Sequence, residues 1–120
     1  PENPKSMDRI LERMGIKVAR WPHKTRCCGT SLAMTRTEVV ERLTGELIDM
    51  ARLAGAEAIV TACPLCFVNL DTRQKAGADQ LPVFYITELM AVYMDLDGAR
   101  SNLKRHQISP MSLLKSKGIY

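Results

Sequence analysis

The stretch that decides the fold runs from residue 58 to residue 66 and reads Ala58-Ile59-Val60-Thr61-Ala62-Cys63-Pro64-Leu65-Cys66. It begins with a near-continuous apolar run of strand length, as expected for a strand buried on both faces of a parallel sheet. Pro64 is favoured in the first turn of a helix. The stretch therefore predicts a buried strand that leads directly into a helix whose N-terminus carries two cysteines.

Strands and helices are predicted to alternate on both sides of this stretch. Further strands are expected at residues 16–21 and 81–86. The predicted helices run from Ser6 to Gly15, from a Thr35–Glu38 capping box to Gly55, from Pro64 towards Gly77 and from Thr87 to Leu96. Strands separated by helices indicate βαβ units, so we expect an α/β protein with an open parallel sheet and alternating helices.

The predicted order of elements is incomplete at its front. It opens on a helix and has three strands to four helices, so one more strand before residue 1 would make it regular. We therefore expect an open parallel sheet that lacks its first strand. Residues 1–97 are predicted to form this partial α/β domain, and residues 98–120 a basic, largely irregular C-terminal tail.

The tail accounts for the net positive charge. Residues 98–120 contain five basic residues and no acidic one, whereas residues 1–97 hold twelve basic and thirteen acidic residues. A nucleic-acid surface would need basic residues along a folded face, interleaved with aromatic ones, and Tyr120 is the single aromatic residue of the tail. The charge pattern therefore argues against nucleic-acid binding.

Length and composition are those of one ordinary globular domain, with 46% hydrophobic and 25% charged residues in a chain of 120. No apolar run approaches the ~20 residues that cross a bilayer, and the opening residues lack the features of a signal peptide. The sequence thus predicts a cytoplasmic protein without a transmembrane segment. Thiols stay reduced in that compartment, so clustered cysteines indicate metal binding or catalysis rather than structural disulfides.

All four cysteines lie in two pairs, Cys27-Cys28-Gly29 and Cys63 with Cys66, and Cys63 follows Gly29 by 34 residues. Each pair comes just after a predicted strand. Because the carboxyl ends of parallel strands form the functional edge of an open α/β sheet, the two loops can meet there. Four thiols at one edge predict a metal site, a cluster site or a redox dithiol.

The residues alone leave these alternatives open. Four thiolates could hold zinc, although adjacent ligands such as Cys27 and Cys28 are unusual for zinc because neighbouring side chains diverge. Adjacent ligands suit a site with several metal ions, and sulfur-only ligation is typical of iron–sulfur clusters. A redox dithiol would use Cys63 and Cys66, since a helix N-terminus lowers a thiol pKa, but it leaves the other pair without a role.

Charged residues near the first pair have two interpretations. Lys24, Arg26 and Arg36 would stabilise thiolates or an anionic cluster, and they are equally well explained as a solvated loop. His23 could be a proton donor or a ligand, and a surface histidine is the simpler interpretation. His106, in the tail, is assigned no role.

The cysteine motifs resemble the second half of the cysteine-rich CCG domain found in the B-type subunit of heterodisulfide reductase and in its relatives. The resemblance extends over essentially the whole chain, through Pro1-Glu2-Asn3-Pro4, Gly55-Ala56, Val68-Asn69-Leu70-Asp71, Leu81-Pro82-Val83 and the region of Pro110. It implies a Rossmann-like unit that holds a noncubane [4Fe-4S] cluster, at which a disulfide such as that of coenzymes M and B is reduced. Cys27, Cys28, Cys63 and Cys66 would then be cluster ligands, and Gly29 would let the loop turn close to the metal.

This sequence departs from the family pattern of five cysteines per domain, because the first of the five would lie upstream of Pro1. The resemblance therefore implies a fragment of an oxidoreductase subunit that is inactive alone and does not hold the complete cluster. Zinc or no metal is the alternative, since some related domains of succinate or fumarate dehydrogenase complexes are thought to use a cysteine site for zinc. The implied partners are other subunits of a redox complex, which could be membrane-associated, and a disulfide substrate.

Overall fold

The computed structural model describes residues 5–21, 35–74 and 80–117. Two strands and six helices are found within these ranges. In chain order they are α1 (Ser6–Arg13), α2 (Thr37–Leu53), β1 (Ile59–Thr61), α3 (Pro64–Thr72), β2 (Val83–Tyr85), α4 (Ile86–Tyr93), α5 (Ala99–Asn102) and α6 (Met111–Ser116), with a 3₁₀ turn at Leu103–Arg105 after α5. The mixture of helices with strands confirms the predicted α/β class.

The two strands pair in parallel, with Ile59 opposite Val83, Val60 opposite Phe84 and Thr61 opposite Tyr85. They are the strands predicted at 58–62 and 81–86, each shorter than its apolar run, and β1 is less buried than predicted, since Val60 and Thr61 are half-buried. Since α3 connects them, β1, α3 and β2 form the predicted βαβ unit.

Helices cover both faces of this sheet, because successive strand residues point to opposite sides. Phe84 belongs to a first core cluster, and its strand neighbour Val83 belongs to a second. The first core cluster contains Leu11, Phe84, Ile86, Leu89, Val92, Ala99, Leu103 and Leu114. The second core cluster contains Leu47, Ile48, Ala51, Ile59, Leu70, Leu81 and Val83. Thus α1, α4, α5 and α6 lie on one face of the sheet, and α2 and α3 on the other.

Helix α2 buries the stripe that its sequence predicts, including Val40, Leu47 and Ala51, but it does not begin at the predicted capping box. The helix starts at Thr37 with Arg36 at the N-cap position. The carboxylate of Glu38 accepts a hydrogen bond from Arg36 Nε at 2.9 Å. The prediction of a Thr35–Glu38 capping box is therefore wrong, because Glu38 pairs with the preceding guanidinium.

The strand predicted at residues 16–21 is also wrong, since no part of this segment is assigned as a strand. Ile16 and Val18 pack against the first core cluster, and Trp21 packs against the second. The apolar residues that favoured a strand here are apolar because they pack against the core. They do not pair with a strand of the sheet. The first residue of this segment is instead bonded to α1, with the Ile16 N–H donating to Leu11 O at 3.0 Å.

The C-terminal segment is more regular than predicted. It holds α5, the 3₁₀ turn and α6, and the side chains of Ala99, Leu103, Ile108 and Leu114 are buried. Three of these residues belong to the first core cluster. The expectation of a largely irregular tail is therefore corrected: the apolar residues are too sparse to show a long helical period, yet they suffice for short helices that pack on the core. Within the described ranges, no helix is long and apolar enough to cross a membrane.

Candidate functional site

The carboxyl ends of β1 and β2 form one edge of the sheet, and Cys63 lies at this edge. Strand β1 ends at Thr61, two residues before Cys63, and β2 ends at Tyr85. The Cys63 N–H donates to Thr61 Oγ1 at 3.2 Å, which ties the loop back to its strand. The buried strand thus delivers this cysteine to the edge where α/β sheets carry their sites, as the sequence predicts.

Both described cysteines lie at the start of α3. Cys63 occupies the N-cap position with extended backbone angles, and Pro64 begins the helix. The Cys63 carbonyl accepts the Phe67 N–H at 3.0 Å, which closes the first helical turn. Cys63 is exposed, whereas Cys66 is half-buried and packs against the second core cluster. One thiol therefore faces solvent, and the other is partly enclosed one turn along the same helix.

This position suits thiolate chemistry. The first turn of a helix presents backbone N–H groups and the positive end of the helix dipole, both of which favour a negative sulfur. The Cys-x-x-Cys spacing also matches half of a metal site with thiolate ligands. Among residues 5–21, 35–74 and 80–117, no group of three or more His, Cys, Asp or Glu side chains could hold a metal ion. The described residues therefore include two of the four predicted thiolates, too few to form a metal site among themselves.

The other predicted ligands, Cys27 and Cys28, lie outside the described residues, and so do Gly29 and the neighbouring His23, Lys24 and Arg26. Their roles remain predictions. Arg36 is described, and its guanidinium pairs with Glu38. This pairing holds the pKa of the Glu38 carboxyl below its ordinary value of 4.5.

A histidine that the sequence assigns no role lies against the cysteine helix. The His106 side chain is 3% exposed, and its Nε2 lies 2.7 Å from Oε2 of Glu88 in the first turn of α4. Its ring packs edge-on against Phe67, with centroids 4.8 Å apart, and tilts against Phe84. Its other ring nitrogen, Nδ1, is buried and has no hydrogen-bond partner among the described residues. Glu88 is 18 residues away in sequence, so no local pattern could have revealed the pair.

A buried carboxylate anchors the other end of α3. Asp71 is 4% exposed, and its two oxygens accept the backbone N–H groups of Gln107 at 2.7 Å and Ile108 at 3.1 Å. A buried carboxylate is costly unless it is hydrogen-bonded, and here both oxygens are satisfied. The helix that carries Cys63 and Cys66 is therefore bonded to the C-terminal segment as well as to the sheet.

A parallel α/β chain that presents a Cys-x-x-Cys pair at a helix start belongs to the broad class of redox or metal–thiolate proteins. Comparison with known families narrows this class. The family described as "CCG: Cysteine-rich domain" matches residues 1–71, which is more than half of the chain. The chain belongs to this family, and the resemblance seen in its cysteine motifs is confirmed.

Curated relatives carry the names of redox-complex subunits. The 8-methylmenaquinol:fumarate reductase membrane anchor subunit of Wolinella succinogenes is 24% identical over 117 residues, covering 92% of this chain and 41% of the relative. A ferredoxin/F(420)H(2)-dependent CoB-CoM heterodisulfide reductase subunit of Methanosarcina acetivorans is 26% identical, covering 94% of this chain and 40% of the relative. A dihydromethanophenazine:CoB--CoM heterodisulfide reductase subunit of Methanosarcina barkeri is 30% identical, covering 74% and 24%. The chain therefore spans about two fifths of the first two relatives.

Proposed function

We propose that this chain is part of an oxidoreductase subunit whose cysteines hold an iron–sulfur centre that passes electrons to a disulfide substrate. The observation that carries the proposal is the position of Cys63 and Cys66, at the start of α3 and at the carboxyl edge of the sheet. Membership of the CCG family and relatives named as reductase subunits support it.

The donor set that we propose is Cys27, Cys28, Cys63 and Cys66, with Gly29 allowing the first loop to approach the metal. The geometry of the second pair fits, because both sulfurs belong to one helical turn and one of them is exposed. We propose a noncubane [4Fe-4S] cluster as the group. The family pattern implies five thiolates for the complete cluster, so we propose the complete cluster and the reductase activity for the intact subunit, with these four cysteines binding iron as part of it.

The proposed reaction consumes two electrons and two protons. The sulfur–sulfur bond of the substrate breaks, and each sulfur leaves as a thiol. When bound, the centre supplies the electrons, which come from an electron donor held by a partner subunit. The residues of this chain keep the thiolates in place: the α3 N-terminus stabilises their charge, and the Cys63–Thr61 hydrogen bond fixes the loop.

We further propose a larger Rossmann-like open sheet to which β1 and β2 belong. Their coverage by helices on both faces supports this proposal. In the same proposal, residues 1–97 form the partial CCG domain and the C-terminal segment packs on it. The partners would be other subunits of a redox complex. We propose a cytoplasmic location, with any association to a membrane made through those partners.

Metal analysis after anaerobic purification tests the proposal and separates it from two alternatives. We expect iron and sulfide with broad visible absorbance. Stoichiometric zinc in a colourless protein would instead support a structural zinc domain, for which the Cys-x-x-Cys spacing is the favouring observation. Absence of metal, with thiols at Cys63 and Cys66 that oxidise reversibly, would support a redox dithiol.

Two variants of α3 make the metal analysis specific. Cys63→Ser removes a proposed ligand, so bound iron should fall at least ~10-fold, because each ligand contributes strongly to a thiolate site. Val68→Ser is the matched control, since Val68 is 53% exposed on the same helix and is not a ligand. Equal iron content in wild type, Cys63→Ser and Val68→Ser would contradict the assignment.

A further inference from the structure

We propose that the turn His106–Gln107–Ile108 is a positioning clamp for α3, and that Asp71 and His106 are its positioning residues for the cysteine pair. This inference rests on the proposed function for its meaning, because it concerns how the proposed ligands are held. The turn lies in the C-terminal segment, and its partner Asp71 is the last of the residues 1–71 that match the CCG family.

The first contact of the clamp is the Asp71 carboxylate. An acidic side chain near the C-terminal end of a helix is unfavourable, because the helix dipole is negative there. Asp71 is the second-last residue of α3, so its negative charge does not stabilise the helix that carries it. Its two hydrogen bonds go to the backbone N–H groups of Gln107 and Ile108. The presence of a carboxylate at this position is thus explained by its bonds to the clamp and not by any effect on helix stability.

The second contact is the His106 ring. One oxygen of Glu88 accepts the Tyr85 N–H at 2.9 Å, and the other lies 2.7 Å from His106 Nε2. The ring packs on Phe67 while Glu88 holds it to the start of α4. The Phe67 side of α3 is thereby tied to the end of β2.

The two contacts fall on the same face of α3 as the exposed cysteine. Cys63, Phe67 and Asp71 are spaced by four residues each, which places them on one stripe of a helix. The Phe67 N–H also donates to the Cys63 carbonyl. A rotation or shift of α3 that moved Cys63 and Cys66 would therefore break the contacts of Phe67 and Asp71, so the clamp fixes the cysteine pair.

The test measures local opening of α3 in the reduced, metal-free chain of 120 residues. Alkylation of Cys66 by iodoacetamide, read by peptide mass spectrometry, reports its access to solvent. Amide hydrogen exchange at Phe67, read by NMR, reports the hydrogen bond that closes the first turn. Both readouts need no metal, so they give an answer even if the iron–sulfur proposal fails.

We expect Asp71→Asn to raise the Cys66 alkylation rate about tenfold, the size expected when a buried hydrogen bond to a charged group is lost. Phe67 amide exchange should accelerate in parallel. His106→Phe should raise both rates about threefold, because the ring contacts stay and the contact with Glu88 is lost, while Nδ1 has no partner among the described residues.

Leu114→Ala is the control for a loss of global stability, because Leu114 is 2% exposed in the first core cluster and belongs to α6. It should leave the Cys66 and Phe67 rates within about twofold of wild type, since local opening precedes global unfolding. Equal rates in Asp71→Asn and wild type, or equal increases in Asp71→Asn and Leu114→Ala, would overturn the proposal. If Asp71→Asn does not fold, His106→Phe takes its place in the comparisons with wild type and with Leu114→Ala, and the same two outcomes would overturn the proposal.

Discussion

The two ends of α3 differ in what surrounds them. At its start, Cys63 and Leu65 are exposed, so the Cys63 side chain is accessible to solvent. At its end, Asn69, Leu70 and Asp71 are all buried. The difference shows how a short helix can present reactive groups and still be fixed: its last turn is held by packing and by buried hydrogen bonds, so its first turn needs few contacts of its own.

Two leucines on this helix give the largest expected contrast. Leu70 is 5% exposed in the second core cluster, and Leu65 is 58% exposed. Leu70→Ala should lower the free energy of unfolding by about 2–5 kcal/mol, the cost of a cavity in a packed core. Leu65→Ala should change it by no more than about 0.5 kcal/mol. Urea denaturation of both variants measures the difference, and equal losses would show that the two ends are anchored alike.

The buried carboxylate gives the next largest effect. Asp71→Ala leaves the buried amide of Ile108 without its acceptor, which costs about 1–3 kcal/mol, and frees the amide of the exposed Gln107, which water can satisfy. Urea denaturation measures this loss. Thr72→Val is a fitting control, because Thr72 is the exposed neighbour and its hydroxyl donates within its own helix, to Val68 O at 2.7 Å. An Asp71→Ala variant as stable as the control would mean that the C-terminal segment does not depend on this anchor.

The cysteines themselves should matter little for stability. Cys66 is half-buried against the second core cluster, so Cys66→Ser should cost about 1 kcal/mol or less in the metal-free chain. Cys63→Ser, at an exposed N-cap position where serine is favourable, should leave the thermal midpoint unchanged or slightly raised. A large loss of stability for Cys63→Ser would contradict an exposed, functional role and indicate a structural one.

The smallest effect lies far from α3, at the start of α2. The Arg36 guanidinium lowers the pKa of Glu38 in the folded chain, so the pair stabilises the fold above pH 4.5, the ordinary pKa. This contribution disappears as the pH falls through the lowered pKa. Thermal midpoints of wild type and Glu38→Gln should therefore differ slightly at pH 7 and converge as the pH falls through the lowered pKa of Glu38. A difference that grows on acidification would reverse the assigned sign.

Local patterns predicted the elements that depend on neighbouring residues. The apolar runs before Cys63 and around Val83 are strands, and the period of α2 marks its buried face. Local patterns gave wrong predictions where a contact with a residue outside the pattern determines the structure. Residues 16–21 have the apolar content of a strand, yet they pack on the core without pairing. Glu38 fits a capping box, yet it pairs with Arg36.

The candidate site likewise has one part that local sequence predicts and another part that it does not. The position of Cys63 at the sheet edge follows from the strand before it and the proline after it, both of which are local. The contacts of Asp71 and His106 join residues 36 and 18 positions away in sequence, and periodicity carries no information about such partners. One sequence signal points to such a partner. Asp71 is an acidic residue near the C-terminal end of a helix, where its charge is unfavourable, so a group outside the helix is expected to bind its carboxylate.

The central claim is that the cysteines of this chain hold an iron–sulfur centre, and one measurement tests it most directly. Iron and acid-labile sulfide per chain are determined after anaerobic reconstitution, in wild type and in the double variant Cys63→Ser/Cys66→Ser. We predict iron and sulfide in comparable amounts in the wild type, with broad visible absorbance, and loss of both in the double variant. A wild-type chain that takes up no iron, or a double variant that takes up as much, would contradict the account.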